Sequence, residues 1–336
     1  MSPYLRKLAS YECNKFMRVL GVNNAKAEAQ WQELPSPKVE KGQIRIQVEA
    51  AGLNRADLLQ IKGLYPGKIE NPILGLECSG VIDQVGEGID EAWLGRKVCA
   101  LLRGGGISEY VVCSPSVIVS APSGIELSLA GGLCETWCTV LFNLWDQARL
   151  LPKEKLLIHA GASGVGIAAI QLARLLGAIP YITCGNEEKL RYCLDRGAEG
   201  GALRTGNWAD HFHELQLKFD VILDPVGAGY LNKDLSLSAN SARIAVIGLL
   251  GGIETECNLL EFLSRNVTLF GRTLRTQSNS VKRRLLAELE TIVWPAVARG
   301  KVHHGVEQIV MPDEVVEAYQ SMQHGEQIGK TIVLMK

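Results

Sequence analysis

The stretch that decides the fold is Leu156-Leu-Ile-His-Ala-Gly-Ala-Ser-Gly-Val-Gly-Ile-Ala-Ala-Ile-Gln-Leu-Ala-Arg-Leu-Leu-Gly177. It begins as a short apolar run that suits a buried strand, turns on small residues, and continues with apolar residues at helical spacing. This order is the context of a dinucleotide-binding turn, because glycines let the backbone approach a pyrophosphate and the helix N-terminus offers unpaired N–H groups. The glycines fall at 161, 164 and 166 rather than at a strict G-x-G-x-x-G spacing, so an ordinary tight turn is the alternative.

Length and composition bound the remaining possibilities. The chain has 336 residues, enough for two ordinary domains, of which 47% are hydrophobic and 21% charged. The net charge is −1, so the chain has no excess of positive charge that would favour binding to nucleic acid or to an anionic membrane. We expect a cytoplasmic protein, because the first ten residues lack the apolar core of a signal peptide, no later stretch could span a bilayer, and the nine cysteines are scattered and odd in number.

The pattern of apolar residues changes near residue 131. Before it, short alternating segments such as 43–50 and 81–86, with glycine and proline between them, predict a β-rich domain. After it, strands alternate with helices, which predicts a doubly wound parallel sheet. The sequence also predicts helices over 133–144 and 281–297, and a final strand over 329–334 that returns to the first domain.

The residues after the second predicted strand of the parallel sheet indicate which dinucleotide binds. An NAD enzyme carries an acidic residue there, which holds the ribose 2′-hydroxyl. This chain has Thr183-Cys-Gly-Asn186 instead, with Lys189 and Arg204 nearby. The missing carboxylate and the two cations favour a 2′-phosphate, and therefore NADPH. The alternative for each cation alone is a solvated surface position.

Several motifs together resemble one known family: Asn54-Arg-Ala-Asp-Leu, Gly63-Leu-Tyr-Pro, Ile73-Leu-Gly-Leu-Glu77, the 104–106 glycine run and the 156–177 stretch. They are similar to the zinc-free quinone oxidoreductases of the zeta-crystallin type, in the medium-chain dehydrogenase/reductase superfamily, and closest to the stress-induced NADPH quinone oxidoreductase branch. The resemblance implies an α/β fold with a GroES-like substrate domain, residues 1–131 and 273–336, around a Rossmann NADPH-binding domain, residues 132–272. It also implies a homodimer formed through the Rossmann domains.

The residues predict no catalytic metal. Zinc-dependent relatives place a cysteine where Asn54 stands and a histidine where Leu76 stands. An asparagine is a poor zinc ligand and a leucine is none. The six histidines supply no replacement cluster.

Without zinc, a hydrogen-bond donor would help to stabilise the negative charge that builds on the acceptor oxygen during hydride transfer. Tyr65 and Asn54 are the candidate catalytic residues, because the family has a tyrosine in this loop and Asn54 occupies the old metal position. The alternatives are that Tyr65 packs against the nicotinamide ring, that Asn54 caps a helix, and that solvent supplies the proton.

The resemblance carries the remaining cofactor contacts over position by position. It implies contacts to the nicotinamide end, the pyrophosphate, the 2′-phosphate and the cleft floor, with core packing as the alternative for the apolar members. Together with the residue-based candidates, the predicted cofactor-binding set is Thr139, Ser163, Gly164, Val165, Gly185, Asn186, Lys189, Arg204, Gly248, Leu249, Leu250, Leu274 and Lys330.

Three functions follow. The first is zinc-independent reduction of a quinone by NADPH. The second is NADPH-dependent reduction of α,β-unsaturated carbonyls or enoyl thioesters; a long acyl-CoA would want a basic patch, and the sequence offers only Lys282-Arg-Arg284, remote from the cleft motifs. The third is a low-turnover NADPH-binding sensor, RNA-binding or structural protein.

Overall fold

The computed structural model describes residues 16–65 and 71–335. Within them, the chain ends build one mixed sheet and a small hairpin. The hairpin is antiparallel β1 (Phe16–Asn23) and β2 (Glu28–Pro35). The mixed sheet contains β3 (Ile44–Gly52), β4 (Glu77–Val85), β5 (Lys97–Leu101), β6 (Tyr110–Cys113), β7 (Ile118–Ser120), β14 (Val306–Val310) and β15 (Lys330–Leu334). Its order is β14-β15-β3-β4-β5-β7, with β6 also pairing β3. Because β15 pairs antiparallel with β3, the predicted return of the final strand to the first domain is confirmed.

The middle of the chain forms a six-stranded sheet in which every pairing is parallel. Its strands are β8 (Lys155–Ile158), β9 (Ile179–Cys184), β10 (Gly200–Leu203), β11 (Phe219–Asp224), β12 (Ser238–Val246) and β13 (Thr268–Gly271). Their order is β10-β9-β8-β11-β12-β13. Counted within this sheet, that is the 3-2-1-4-5-6 order of a dinucleotide-binding fold. The predicted doubly wound sheet is therefore confirmed.

The helices of the first half are α1 (Arg55–Ile61), α2 (Leu127–Ala130), α3 (Cys134–Val140), α4 (Gly164–Leu175) and α5 (Glu187–Asp195). Those of the second half are α6 (Trp208–Glu214), α7 (Leu231–Leu237), α8 (Leu259–Arg265), α9 (Asn279–Glu288), α10 (Trp294–Ala298) and α11 (Val315–His324). Helix α3 continues as the π-helix Leu141–Gln147, and the π-helix Leu289–Val293 joins α9 to α10. The predicted helix over 281–297 is thus one continuous helix that includes a π-helical segment. Pro295 follows that segment, and its nitrogen has no hydrogen to donate to a helical hydrogen bond.

The alternating pattern of residues 43–50 is typical of a strand with one face toward solvent, but both faces of β3 are covered. The outward Arg45 is 8% exposed. Its guanidinium forms an ion pair with Asp83 at 2.8 Å and stacks 4.8 Å from the Tyr110 ring centroid. Arg45, a polar residue of the alternating pattern, is therefore covered by Asp83 and Tyr110 rather than exposed to water.

The long α9–α10 segment packs on the helices that precede and follow β8. Leu285, Leu289 and Val293 are buried in the same hydrophobic cluster as Trp137 and Ile167. Helix α9 also lies against β7 of the mixed sheet. It therefore bridges both sheets, and the domain boundary at residue 273 stays a prediction. None of the described helices combines the length and apolar character that crossing a bilayer requires.

Candidate functional site

The glycine turn between β8 and α4 leads into the N-terminus of α4. This N-terminus lies beside the last segment of the chain, at the cleft between the two sheets. Ser163 caps α4, and its hydroxyl oxygen accepts a hydrogen bond from Gly166 N at 3.1 Å. A Cβ at Gly166 would collide with the Gly161 carbonyl oxygen, so this glycine is required by the turn itself. Ser163 is exposed and the next two residues are half-buried. The predicted pyrophosphate residues Ser163, Gly164 and Val165 therefore lie where helix N–H groups meet solvent.

Three cations meet beyond the end of β9, in what we call the cation cluster: Arg55, Lys189 and Arg204. Burial, and secondarily Arg204, lowers the pKa of both Arg55 and Lys189. Lys189 Nζ donates to the Gly325 carbonyl at 2.5 Å. A Cβ at Gly185 would lie 3.5 Å from Arg204 Nε. Exposed Glu188 and Glu326 partly offset the charge on Lys189, but the cations repel one another and suit an added anion.

Two members of this region have other features. Asn186 caps α5, because its side-chain oxygen accepts from Lys189 N at 2.9 Å. Arg55 begins α1 of the other sheet's domain, and its Nη2 donates to the Met322 carbonyl at 2.6 Å. The sequence did not single out Arg55, since it reaches this place only through the fold.

A buried polar group, which we call the inner cluster, connects the mixed sheet to α3: Asn54, Glu77, Lys330 and Glu135. Lys330 Nζ lies 2.6 Å from Glu77 Oε1 and donates to Asn54 Oδ1 at 2.6 Å. Asn54 Nδ2 donates to Gly52 O and to Glu77 Oε1. The other Glu77 oxygen accepts from Glu135 N at 2.9 Å.

The inner cluster changes what we expect of two predicted site residues. Both amide hydrogens of Asn54 already have protein acceptors, so it lacks a free donor for substrate. Lys330 is 5% exposed, and its ammonium neutralises Glu77. We therefore expect both residues to position the cleft wall rather than to contact acceptor or cofactor through these groups.

Tyr65 lies at the cleft beside a fixed guanidinium. The Arg275 Cζ atom is 4.6 Å from the Tyr65 ring centroid. Arg275 donates to Gln60 Oε1 at 2.7 Å and to the Arg103 carbonyl at 2.8 Å. Burial first, and then nearby Glu135, raises the pKa of Tyr65 to about 12. The hydroxyl therefore stays protonated at neutral pH and can donate a hydrogen bond.

The remaining predicted cofactor residues lie in different environments. Thr139 is half-buried on α3, one helical turn after Glu135. Gly248 packs against the Pro225 carbonyl, where a Cβ would lie 2.7 Å from that oxygen. Leu249 and Leu250 are 53% and 49% exposed. Leu274 is buried in the large core cluster, so packing accounts for it.

The run Lys282-Arg-Arg284 is not a basic patch, contrary to the sequence interpretation. Lys282 is fully buried, and its Nζ donates to the Leu102 carbonyl at 2.9 Å. Arg284 points to the surface and pairs with Asp146 and Glu288. The run is split because successive helix positions point in different directions. Lys282 is thus buried close enough to Glu135 and Arg275 for their charges to act on it, although it is remote from both the cleft motifs and Glu135 in sequence.

Metal-ligating residues are not gathered at this site. Among residues 16–65 and 71–335, no group of three or more His, Cys, Asp or Glu side chains could hold a metal ion. Asn54 and Leu76, the two positions at which the resemblance implies zinc ligands in zinc-dependent relatives, are both buried. Zinc independence stays a prediction.

Comparisons with known proteins agree with this architecture. Residues 40–123 match a model described as alcohol dehydrogenase GroES-like domain, and residues 164–291 match one described as zinc-binding dehydrogenase. The chain is 27% identical over 316 residues to a synaptic vesicle membrane protein VAT-1 homolog of Danio rerio, covering 88% of this chain and 65% of that protein. It therefore spans less than two thirds of that relative, and far less of the polyketide synthases that it also matches.

Solved structures share the whole fold. The CurK enoyl reductase superposes with a TM-score of 0.83 at 26% identity, covering 95% of this chain and 99% of that one. The Escherichia coli quinone oxidoreductase complexed with NADPH gives a TM-score of 0.83 at 22% identity, with the same coverage. The two matched domains, the strand orders and these likenesses agree, and the chain belongs to the medium-chain dehydrogenase/reductase superfamily.

Proposed function

We propose that this protein is an NADPH-dependent, zinc-independent oxidoreductase that reduces a quinone in the cleft between the two sheets. The observation that carries the cofactor choice is the cation cluster. Arg55, Lys189 and Arg204 converge where an NAD enzyme would hold the ribose with a carboxylate. A 2′-phosphate would neutralise them, whereas a 2′-hydroxyl would leave them repelling one another.

The remaining cleft residues fit the same dinucleotide. The exposed N-terminus of α4 at Ser163 suits the pyrophosphate. Thr139 and Tyr65 would face the nicotinamide end, where bound NADPH supplies a hydride from its C4 atom. The Tyr65 hydroxyl would donate a hydrogen bond to the acceptor oxygen, and Arg275 lies against the Tyr65 ring. Within the superfamily, we therefore propose that the protein belongs to the zeta-crystallin-type branch.

Reduction of an activated alkene is the second candidate. The likeness to the CurK enoyl reductase, at 26% identity over the whole fold, favours it. The chemistry of the cleft is the same, because hydride addition to an enone also leaves charge on a carbonyl oxygen. A low-turnover NADPH-binding protein is the third candidate.

We also propose that two copies associate through the Rossmann-type domains. Strand β13 is the last strand of the parallel sheet, and its outer edge pairs with no strand of the part of the chain that the structure describes. An apolar edge surrounds it, made of Ile253, Leu259, Leu260, Leu263 and Leu269, each between 41% and 77% exposed. A second copy would cover both the strand edge and these side chains.

The experiment that tests the function follows NADPH oxidation by its absorbance, with 9,10-phenanthrenequinone or an enone as acceptor and NADH as the alternative donor. Quinone-dependent oxidation of NADPH well above that of NADH supports the proposal. Turnover with enones alone favours the second candidate, and tight NADPH binding without any turnover leaves the third. In the same assay Tyr65→Phe, compared with Tyr181→Phe on β9, tests the role of the Tyr65 hydroxyl.

A further inference from the structure

Glu135 presents an unpaired carboxylate oxygen at the inner end of the cleft. It lies in the first turn of α3, and its backbone N–H is held by Glu77. Its side chain is half-buried, and its Oε2 atom is shielded from solvent without a hydrogen-bond partner among the described residues. Thr139 follows on the same helix face one turn later. A buried oxygen without a partner is costly unless a ligand or a proton completes it.

Lys282 is a buried cation on helix α9. Its side chain has no exposed surface, and its one described hydrogen bond goes to the Leu102 carbonyl at 2.9 Å. No carboxylate of the described residues lies within ion-pair distance of it. Helix α9, which carries Lys282, packs against α3, which carries Glu135. Each of the two charged groups accordingly alters the pKa of the other.

The charges around the two groups set their protonation. Burial first, and then Glu77, raises the pKa of Glu135 to about 7, while Lys282 and Lys330 oppose the rise. Burial lowers the pKa of Lys282 to about 8, while Glu135 opposes that fall. The other groups that act on one or both of them are Asp57, Tyr65, Arg103, Cys138 and Arg275.

We propose that Glu135 donates the proton that the acceptor takes up after hydride transfer, and that Lys282 is a positioning residue for Glu135. The proposal rests on the proposed function. The hydride brings two electrons to the acceptor and leaves an anion. The bond between Glu135 oxygen and its hydrogen then breaks, a new bond forms between that hydrogen and the anion, and Glu135 becomes a carboxylate that solvent reprotonates from the half-exposed side.

Glu135 suits this role better than Tyr65 does. An efficient proton donor has a pKa near the working pH. Tyr65, whose pKa is raised to about 12, gives up its proton reluctantly. Tyr65 can orient the acceptor by a hydrogen bond, while Glu135 supplies the proton. The two residues are near enough for Glu135 to raise the pKa of Tyr65.

Glu135→Gln tests the donor while keeping the size of the side chain. We expect kcat to fall by roughly 100-fold, because a general acid contributes at least that much. The wild-type rate should fall as the pH rises through the Glu135 pKa, since the protonated form is active, and the variant should lose this dependence. Glu290→Gln, an exposed change of the same charge, should keep both rate and pH profile. An unchanged rate and profile in Glu135→Gln would overturn the proposal.

A readout that needs no turnover separates this proposal from the proposed function. Infrared difference spectra across the neutral range should show the carbonyl stretch of a protonated carboxyl, which Glu135→Gln removes. In Lys282→Gln the midpoint should move to higher pH, because Lys282 lowers the pKa of Glu135. If the wild type reduces no acceptor but this titration is present, the function fails and the proton-holding site stands. A titration that is missing, or unmoved in a folded Lys282→Gln, overturns the site itself.

Discussion

Arg204 is the exposed cation of the cluster beyond β9, so its removal tests the cofactor choice with little risk to folding. We expect Arg204→Ala to weaken NADPH binding by roughly 10-fold, the loss that accompanies one hydrogen bond between charged groups. Binding of NADH should hardly change, because it has no 2′-phosphate. Fluorescence titration measures both affinities, and Arg299→Ala, an exposed change elsewhere, is the control. Equal losses for both cofactors would contradict the assignment.

Lys330 and Glu77 form the most buried ion pair of the cleft, at 2.6 Å. Lys330→Met leaves a buried carboxylate without its cation, so we expect it to lower the free energy of unfolding by about 3–5 kcal/mol. Adding Glu77→Gln removes that charge and should restore part of the loss. Urea unfolding of the two single variants and the double variant measures this coupling. Strictly additive losses would show that the pair is not the source of the effect.

Individual residues were predictable where the fold fixes their position along the chain. Lys189 and Arg204 follow the second strand of the parallel sheet, so the pattern indicates their place near a 2′-phosphate. Arg55 joins the cation cluster, and Lys282 comes near Glu135, only through tertiary packing, which no local pattern reports. Glu135 was not among the predicted site residues, although the sequence could have indicated it. A single carboxylate among mostly apolar residues suggests a buried acid with a shifted pKa, and such groups are common at functional sites.

At the level of the element, Gly166 decides whether the nucleotide turn can form. Replacing a glycine inside a helix by alanine usually stabilises the helix by about 1 kcal/mol. At position 166, however, the new Cβ would collide with the Gly161 carbonyl oxygen. We expect the collision to prevail, so that Gly166→Ala destabilises the protein by about 1–3 kcal/mol. Thermal or urea unfolding measures the change. Gly206→Ala is the control, because its new Cβ would have its nearest neighbour 3.9 Å away. A more stable Gly166→Ala would contradict this geometry.

Elements with a marked apolar run were predictable, and short elements without one were not. The 156–177 stretch carries such runs, and the structure places strand β8 and helix α4 there as predicted. Helices α6, α7 and α8 have seven residues each, about two turns, too few for a helical period to stand out. Helix α8 buries none of its residues, so it carries no apolar stripe facing a core.

At the scale of the whole molecule, the segment that precedes the final strand contacts both sheets. Gly329 N donates to the Ala162 carbonyl at 2.8 Å, directly before the capped start of α4. The next residue, Lys330, binds Glu77 of the mixed sheet. The chain order of the motifs predicted this return of the last strand. The same order could not predict that α9 would pack against α3 and bring Lys282 near Glu135.

The apolar edge around β13 makes a prediction about the assembly. If two copies pair there, Leu263, 76% exposed on α8, becomes buried in the interface. Leu263→Asp would then place a charge in that interface, which is costly without a partner. We expect the variant to sediment as a monomer under conditions where the wild type sediments as a dimer. Its cation cluster lies elsewhere on the fold, so NADPH affinity should stay within about twofold of the wild type.

Leu215→Asp separates this effect from a general change in solubility. Leu215 is also exposed, at 56%, but it follows α6, outside the apolar edge. The same substitution there should leave the sedimentation coefficient unchanged. If both variants remain dimers, the copies meet through another surface, and the edge of β13 would then need some other cover. If the wild type is itself a monomer at every concentration, the proposed pairing is wrong, while the cleft and its cofactor assignment are unaffected, because every residue that builds them comes from one chain.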